Sequence, residues 1–160
     1  MDDALSTTET ATTTTTTTTD DPRAVVTRFL FALRDEDFPT AAALLDDDLV
    51  YQNVGLLTIR GARKTLNLFR RMEGRVPFDV IVHRSTVDGS TVMNERTDAL
   101  TFGPVRLQFW VCGVFEVRNG RITLWRDYFD NLDIAKAVVR GLLGAAVPAL
   151  GRPYQGTRGR

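Results

Sequence analysis

Hydrophobic and polar residues alternate along the second half of the chain, and this alternation is typical of β-strands. β-Branched and aromatic residues occur throughout this half, and three turn signals interrupt it: Asp88-Gly89, Gly103-Pro104 and Asn119-Gly120. We therefore predict four strands, joined by tight turns, over residues 78–87, 91–101, 105–117 and 121–129.

Apolar residues in the first half recur at helical spacing instead. Asp20 or Asp21 followed by Pro22 marks a helix start, because an acidic side chain caps the first turn and proline is tolerated there. We predict two further helices over about 37–45 and 61–72, with a short strand at 48–53 and a loop at 54–59 between them. A fourth helix is predicted over 132–143. Helices followed by antiparallel strands indicate an α+β domain.

The two ends of the chain differ in composition from the middle. Thr12 to Thr19 is an unbroken threonine run in a polar segment, and such a segment buries too little apolar surface to offset its ordering entropy. We expect residues 1–20 to be disordered, 21–144 to form one domain, and 145–160 to be a Gly- and Arg-rich tail. The start lacks a signal-like pattern, so we expect a cytoplasmic protein. The longest apolar run, 141–151, is too short for stable membrane insertion.

The charge balance and the rare residue types exclude several functional classes. Lys and Arg total 20, as do Asp and Glu, so the net charge gives no reason to expect nucleic acid as a partner. The single Cys112 and the single His83 exclude an intrachain disulfide and a Cys- or His-based metal cluster. We expect no metal and no cofactor, and a structural, partly buried role for His83. A Gly-x-Ser-x-Gly motif of a serine hydrolase is absent from the sequence.

Two of the predicted strands carry charged residues on faces that also carry apolar ones. Residues two apart in a strand share a face, so Asn94, Arg96 and Asp98 point the same way, as do Trp125 and Asp127. A buried charge needs a partner, and one guanidinium can satisfy two carboxylates. Two aspartates bridged by an arginine form an acid/base device. A structural ion network, or charges on a solvated face, would give the same pattern.

A third stretch adds groups that can hold a water molecule. Tyr51 and Asn53 share a face of the short strand, and each has donor and acceptor capacity. Taken in order, Tyr51-Gln52-Asn53, then Glu95-Arg96-Thr97-Asp98, then the motif from Trp125 to Asp130 resemble the limonene-1,2-epoxide hydrolase family. The resemblance extends over roughly residues 21–137, and the final motif is its most specific part.

This resemblance implies a fold, an activity and a site. The fold is an NTF2-like (SnoaL-like) cone, in which a curved, mixed but mainly antiparallel sheet wraps round the N-terminal helices and encloses a deep apolar pocket. The activity is cofactor-independent addition of water to an apolar terpene, lipid or sterol epoxide. Asp127 would be the general base, Asp98 the general acid and Arg96 their bridge, while Tyr51 and Asn53 would hold the water. The implied pocket residues are Phe69, Leu100, Phe109, Val111 and Phe129.

Two other functional classes are alternatives to this hypothesis, and the sequence also predicts an assembly state. The same cone occurs in ketosteroid-isomerase-like and polyketide-cyclase-like enzymes and in binding proteins without catalysis. An isomerase needs one carboxylate base and an oxyanion donor, and has no need of the Arg96-bridged pair. We also expect a homodimer, because Trp110, Cys112 and Val114 form an apolar outer face on their strand.

Overall fold

The computed structural model describes residues 21–146, so the disordered segment predicted for 1–20 and most of the tail predicted for 145–160 lie outside the described residues. Its helices are α1 (Pro22–Arg34), α2 (Phe38–Ala43), α3 (Ala62–Arg70) and α4 (Asn131–Ala146). Its strands are β1 (Leu45–Asn53), β2 (Leu57–Arg60), β3 (Phe78–Asp88), β4 (Thr91–Phe102), β5 (Val105–Arg118) and β6 (Arg121–Tyr128).

Helix α1 forms for the reasons that the sequence indicates. Asp21 caps it, because its carboxylate accepts a hydrogen bond from the Arg23 backbone N–H at 3.0 Å. The buried face of α1 contacts strands β3 to β6, and its Phe29 ring meets Trp125 edge to face with centroids 5.1 Å apart. The helix thus packs across one face of the sheet from β3 to β6.

The six strands form one mixed sheet in the order β2-β1-β6-β5-β4-β3. Every neighbouring pair is antiparallel except β1 and β6, which are parallel. Register shifts interrupt three of the pairings, and such bulges bend strands and increase their twist. The predicted fold class is confirmed: a curved, mainly antiparallel sheet packs against the N-terminal helices.

Several local predictions differ from the structure, among them the start of β1, which begins at Leu45 and not at 48. Residues 54–59 are not all loop: Gly55, at φ 82°, lies in a tight turn, and the chain then returns as β2 beside β1. Helix α4 extends to Ala146, beyond the predicted end at 143. His83 is exposed, not partly buried, because it lies at the bulge between Val82 and Arg84, where inward and outward positions lose their alternation.

The register of the sheet places four residues in one row across four strands. Asn94 on β4 pairs with Gly113 on β5, Gly113 pairs with Asp127 on β6, and Asp127 pairs with Asn53 on β1. Paired residues on neighbouring strands lie side by side on one face of a sheet. The row therefore brings segments that are far apart in sequence to one place beneath α1 and α3. Within residues 21–146, no helix is long and apolar enough to cross a membrane.

Candidate active site

Arg96 lies at the centre of the polar groups inside the sheet. Its side chain has no exposed surface, and its Nε donates to both oxygens of Asp98, at 2.9 Å and 3.1 Å. Its Nη2 lies 2.7 Å from Oδ2 of Asp127. One guanidinium therefore joins two carboxylates that come from different strands, and both carboxylates are buried.

Arg96 reaches Asp127 only because of the residue between them. Strand β5 separates β4 from β6, so the side chain must span two interstrand distances, about 9–10 Å. At this point β5 carries Gly113, which has no side chain to block the path. A Cβ atom on Gly113 would overlap Nη1 of Arg96 and would lie 2.7 Å from Oδ1 of Asn94. The guanidinium thus lies in the space that any other residue would fill.

The third nitrogen of the guanidinium has its own acceptor. Nη1 of Arg96 donates to Oδ1 of Asn94 at 3.1 Å, and Asn94 is itself buried. The ring of Phe115 lies beneath the guanidinium, 5.9 Å from its central carbon. Nε and Nη1 therefore donate hydrogen bonds to Asp98 and Asn94, whereas Nη2 forms an ion pair with Asp127 that does not meet hydrogen-bond geometry. These three contacts orient the guanidinium.

Burial and coupling shift the pKa values of the cluster. Burial raises the pKa of Asp98 to about 6, although Arg96 opposes this rise, and the charge of Asp127 adds to it. Burial also raises the pKa of Asp127, against the opposing effect of Arg96. The pKa of Arg96 is raised by both carboxylates in spite of its burial, so the guanidinium stays charged. The pair can thus hold one proton near neutral pH, as an acid/base pair requires.

Asp127 has one carboxylate oxygen free for another partner. Oδ2 faces Arg96, but Oδ1 is buried and accepts no hydrogen bond within the described protein. The buried indole N–H of Trp125 also has no hydrogen-bond partner there. The Trp125 N–H lies close enough to Asp127 to lower the pKa of that carboxyl, but the two groups do not meet hydrogen-bond geometry. An unpaired acceptor and an unpaired donor lie two residues apart on β6, where a small polar molecule could bind both.

Tyr51 and Asn53 stand beside this oxygen on the neighbouring strand. The Tyr51 hydroxyl and the Asn53 side-chain amide are bonded to each other at 2.9 Å and 3.2 Å. The Tyr51 ring packs on Trp125, with centroids 4.1 Å apart. Burial and the charge of Asp127 raise the pKa of Tyr51 far above its usual value, so its hydroxyl stays protonated. The two side chains are bonded to each other and neutral, and the register sets Asn53 beside Asp127.

A model of the limonene-1,2-epoxide hydrolase catalytic domain matches residues 20–140 of the chain. The chain belongs to the limonene-1,2-epoxide hydrolase family. It is 61% identical over 125 residues to the epoxide hydrolase EphG of Mycobacterium tuberculosis, an alignment that covers 78% of this chain and 84% of that protein. The predicted enzyme class, a hydrolase of this family's type, is confirmed.

Solved structures agree with this membership. A limonene-epoxide-hydrolase-like epoxide hydrolase of M. tuberculosis superposes with a TM-score of 0.81 at 57% identity, covering 83% of this chain and 95% of that one. An NTF2-like protein of unknown function from Cytophaga hutchinsonii superposes with a TM-score of 0.61 at 22% identity, covering 72% and 95% of the two chains. The second likeness shows the fold alone.

The residues predicted to line the pocket of this family member lie around the cluster. Phe69 on α3 stacks on Trp125 with centroids 5.7 Å apart, and Phe109 meets Phe129 at 6.2 Å. Val111 is buried opposite Arg96 in the register of β4 and β5, and Leu100 is half-buried near the end of β4. The register thus sets Phe109 opposite Asp98 and Val111 opposite Arg96, and the other three residues follow from ring contacts or from the strand face. The deep pocket itself stays a prediction.

One surface groove lies elsewhere on the molecule. It encloses about 780 Å³ beside α1 and α2 and is lined by residues such as Arg28, Phe31 and Asp37. None of the cluster residues lines it, so it does not belong to the acid/base site.

Two charged residues of the matching motifs, Glu95 and Arg126, lie outside the cluster. Glu95 forms an ion pair with Arg84 at 2.7 Å and accepts a hydrogen bond from the Trp110 indole at 3.1 Å. Arg126 donates to Gln52 at 2.8 Å. The period of two along β4 and β6 separates these structural contacts from the inward cluster.

Asn94 and Gly113 are members of the site that the sequence reasoning did not single out. Asn94 was placed on the same face as Arg96, and this was the only signal for it. The strand pattern places Gly113 on the same face as Phe109 and Val111, but its closeness to Arg96 arises from the register that sets it between Asn94 and Asp127.

Proposed function

We propose that this enzyme adds water in one step to an apolar epoxide of the terpene, lipid or sterol class and releases a vicinal diol. One observation carries the proposal: a buried arginine joins two buried carboxylates, and one of these carboxylates keeps an unpartnered oxygen beside Tyr51 and Asn53. Epoxide opening needs proton removal from the nucleophile and proton donation to the leaving oxygen, and the cluster has a group for each task.

Asp127 is the general base of this proposal. Its free Oδ1 accepts a hydrogen bond from the attacking water, which Tyr51 and Asn53 hold from the side of β1. As the water oxygen bonds to an epoxide carbon, one of its protons passes to Asp127. A positioned base contributes about 10²–10⁴-fold to the rate.

Asp98 is the general acid. Its pKa of about 6 lets a substantial fraction of the enzyme keep the Asp98 proton at mildly acidic pH. As the carbon–oxygen bond of the epoxide breaks, this proton passes to the departing oxygen, which becomes the second hydroxyl of the diol. After the step, Asp127 holds a proton that Asp98 has lost. One proton must therefore return to Asp98 before the next turnover.

The apolar side chains around the carboxylates support an apolar substrate. Phe69, Phe109, Val111 and Phe129 offer no hydrogen-bonding side-chain atoms, so an epoxide with polar substituents would lose hydration without new partners.

We further propose that the enzyme is a homodimer through the outer face of its sheet. Met93, Trp110 and Tyr128 point away from α1 and are 44%, 45% and 41% exposed, and Cys112 and Val114 lie among them on β5. A second copy would cover this apolar face.

The proposal is tested with a panel of terpene, fatty-acid and sterol epoxides and with analysis of the products. We expect a vicinal diol from at least one apolar epoxide, and its loss in both Asp98→Asn and Asp127→Asn with the fold intact. The matched control is Asp88→Asn, which makes the same change at an exposed hairpin position. Full activity in either aspartate variant would overturn the acid/base assignment, and isomerised ketones without diols would indicate the isomerase class.

The path of oxygen tests the single step. With enzyme in excess, one turnover in ¹⁸O-water should place the label in the first diol formed, with inversion at the attacked carbon. An unlabelled first diol, with the label found later in an Asp127 carboxylate, would show that this residue is a nucleophile. The sequence argues against such an ester route, because its second step needs a base, usually a histidine, and His83 is exposed on β3.

A further inference from the structure

The guanidinium of Arg96 has one partner that takes no part in proton transfer. Asn94 accepts from Nη1 at 3.1 Å and is 4% exposed. Its position in the row, beside Gly113 and across from Asp127, puts its oxygen at the edge of the guanidinium that neither carboxylate occupies. Asn94 therefore completes the set of acceptors round Arg96.

We propose that Asn94 is a positioning residue of the hydrolase. Its neutral side-chain oxygen holds the guanidinium of Arg96 over Gly113. Because this acceptor carries no charge, the guanidinium contacts two carboxylates and not three. This inference rests on the proposed function for its catalytic meaning. A neutral oxygen matters because a carboxylate at this point would supply the same hydrogen bond together with an additional negative charge. The amide thus fixes both the orientation of Arg96 and the proton count of the pair.

The geometry distinguishes positioning from simple space filling. Without an acceptor for Nη1, the planar guanidinium could rotate about the Cδ–Nε bond, and Nη2 would then leave the 2.7 Å contact with Asp127. Neither Gly113 nor the Phe115 ring beneath the guanidinium offers a side-chain hydrogen-bond acceptor that would prevent this rotation. Asn94 is the acceptor that stops this turning on the β4 side.

Few other charged groups face Asn94. Among the side chains that the structure describes, the titratable or charged ones on this face are Arg96, Asp98, Asp127 and Tyr51. The neighbours on the adjacent strands are uncharged: Ser85 on β3 pairs with Asn94, and Gly113 and Phe115 lie beside it on β5. The buried face of α1, which packs against β4, is apolar. A charge introduced at Asn94 would therefore act mainly on the carboxylate pair.

The test is Asn94→Asp, which keeps the shape and the accepting oxygen and adds one negative charge. In protein labelled with ¹³C at the aspartate carboxyl groups, we expect the highest macroscopic pKa of the cluster to rise by about one to two units. The alkaline limb of the kcat/KM profile for an epoxide should move with it. The matched control is Asn67→Asp, the same change at an exposed position on α3, which should leave both unchanged.

A second variant removes the acceptor instead of charging it. Asn94→Ala should lower kcat for diol formation by tenfold or more with little change in KM, because it frees the guanidinium without touching the substrate. A residue that only fills space would reduce stability and leave kcat and the carboxyl titration as they are. That result in a folded Asn94→Ala or Asn94→Asp protein would overturn the proposal.

The design separates this inference from the proposed activity. The ¹³C titration needs no substrate, so a raised cluster pKa in Asn94→Asp supports the inference even if no epoxide is hydrolysed. Because Asn94→Asp keeps the accepting oxygen, we expect it to fold at pH 5. If it is unfolded at that pH, the kcat and the carboxyl titration of Asn94→Ala decide the proposal, because that variant adds no charge.

Discussion

Replacing Gly113 with alanine would place a methyl group where the guanidinium of Arg96 lies. The new Cβ would overlap Nη1 and would stand 2.8 Å from a ring carbon of Phe115, so the guanidinium must move. Moving it breaks the buried contact with Asp127, and breaking a buried ion pair costs about 3–5 kcal/mol. Alanine in a strand is more favourable than glycine by only about 0.5–1 kcal/mol. We therefore expect a net loss of about 2–4 kcal/mol.

Urea unfolding at pH 7 measures this loss, and a double-mutant cycle identifies its source. In an Arg96→Ala background at pH 5, below the Asp98 pKa of about 6, no guanidinium remains to be displaced. There we expect Gly113→Ala to cost less than about 1 kcal/mol, since coupled residues in contact lose their interaction term. An equal loss in both backgrounds would refute the reasoning, because the glycine would then be needed for its contacts with Asn94 and Phe115 alone.

Three further outcomes follow from the same cluster and from the outer face. Arg96→Ala should destabilise the protein at pH 7 by about 3–5 kcal/mol. The control Arg84→Ala breaks an exposed ion pair and should cost less than about 1 kcal/mol. Similar losses of unfolding free energy in the two variants would contradict the burial of the Arg96 ion pairs. Because the folded pKa of Asp98 is raised to about 6, its protonation stabilises the fold below about pH 4, and this contribution is lost as the pH rises through 6. Wild-type stability should therefore fall by about 2 kcal/mol more than that of Asp98→Asn between pH 4 and 7, and parallel stability curves would count against the raised pKa. Light scattering at micromolar concentration should give a dimer for the wild type and a monomer for Trp110→Glu, and a monomeric wild type would count against the proposed interface.

Strand periodicity made the inward residues predictable, because side-chain direction depends only on sequence spacing within one strand. Arg96, Asp98 and Asp127 could be placed on their faces in this way, and α1 could be placed from its cap and its apolar stripe. The role of Gly113 could not be predicted from periodicity, because it depends on which residues lie opposite Gly113 on two other strands.

Short or irregular segments escaped prediction for other physical reasons. Strand β2 has only 4 residues and is stabilised by pairing with β1, a tertiary contact that local propensity does not report. His83 was misplaced because the bulge at Val82 and Arg84 inserts an additional residue and reverses the alternation. The shape of the pocket depends on how the helices pack on the curved sheet, and no local sequence pattern determines this packing.

The parallel pairing of β1 with β6 has a consequence for the order in which the protein assembles. Chain synthesis delivers Tyr51 and Asn53 first, Arg96 and Asp98 next and Asp127 near the end, yet the register sets the first and last of these side by side. Until β6 enters the sheet between β1 and β5, the guanidinium lacks one counter-ion, and its burial is correspondingly unfavourable. Contacts between such distant segments form slowly. Closure of the sheet by β6 should therefore be a late event that completes the fold and the catalytic centre together.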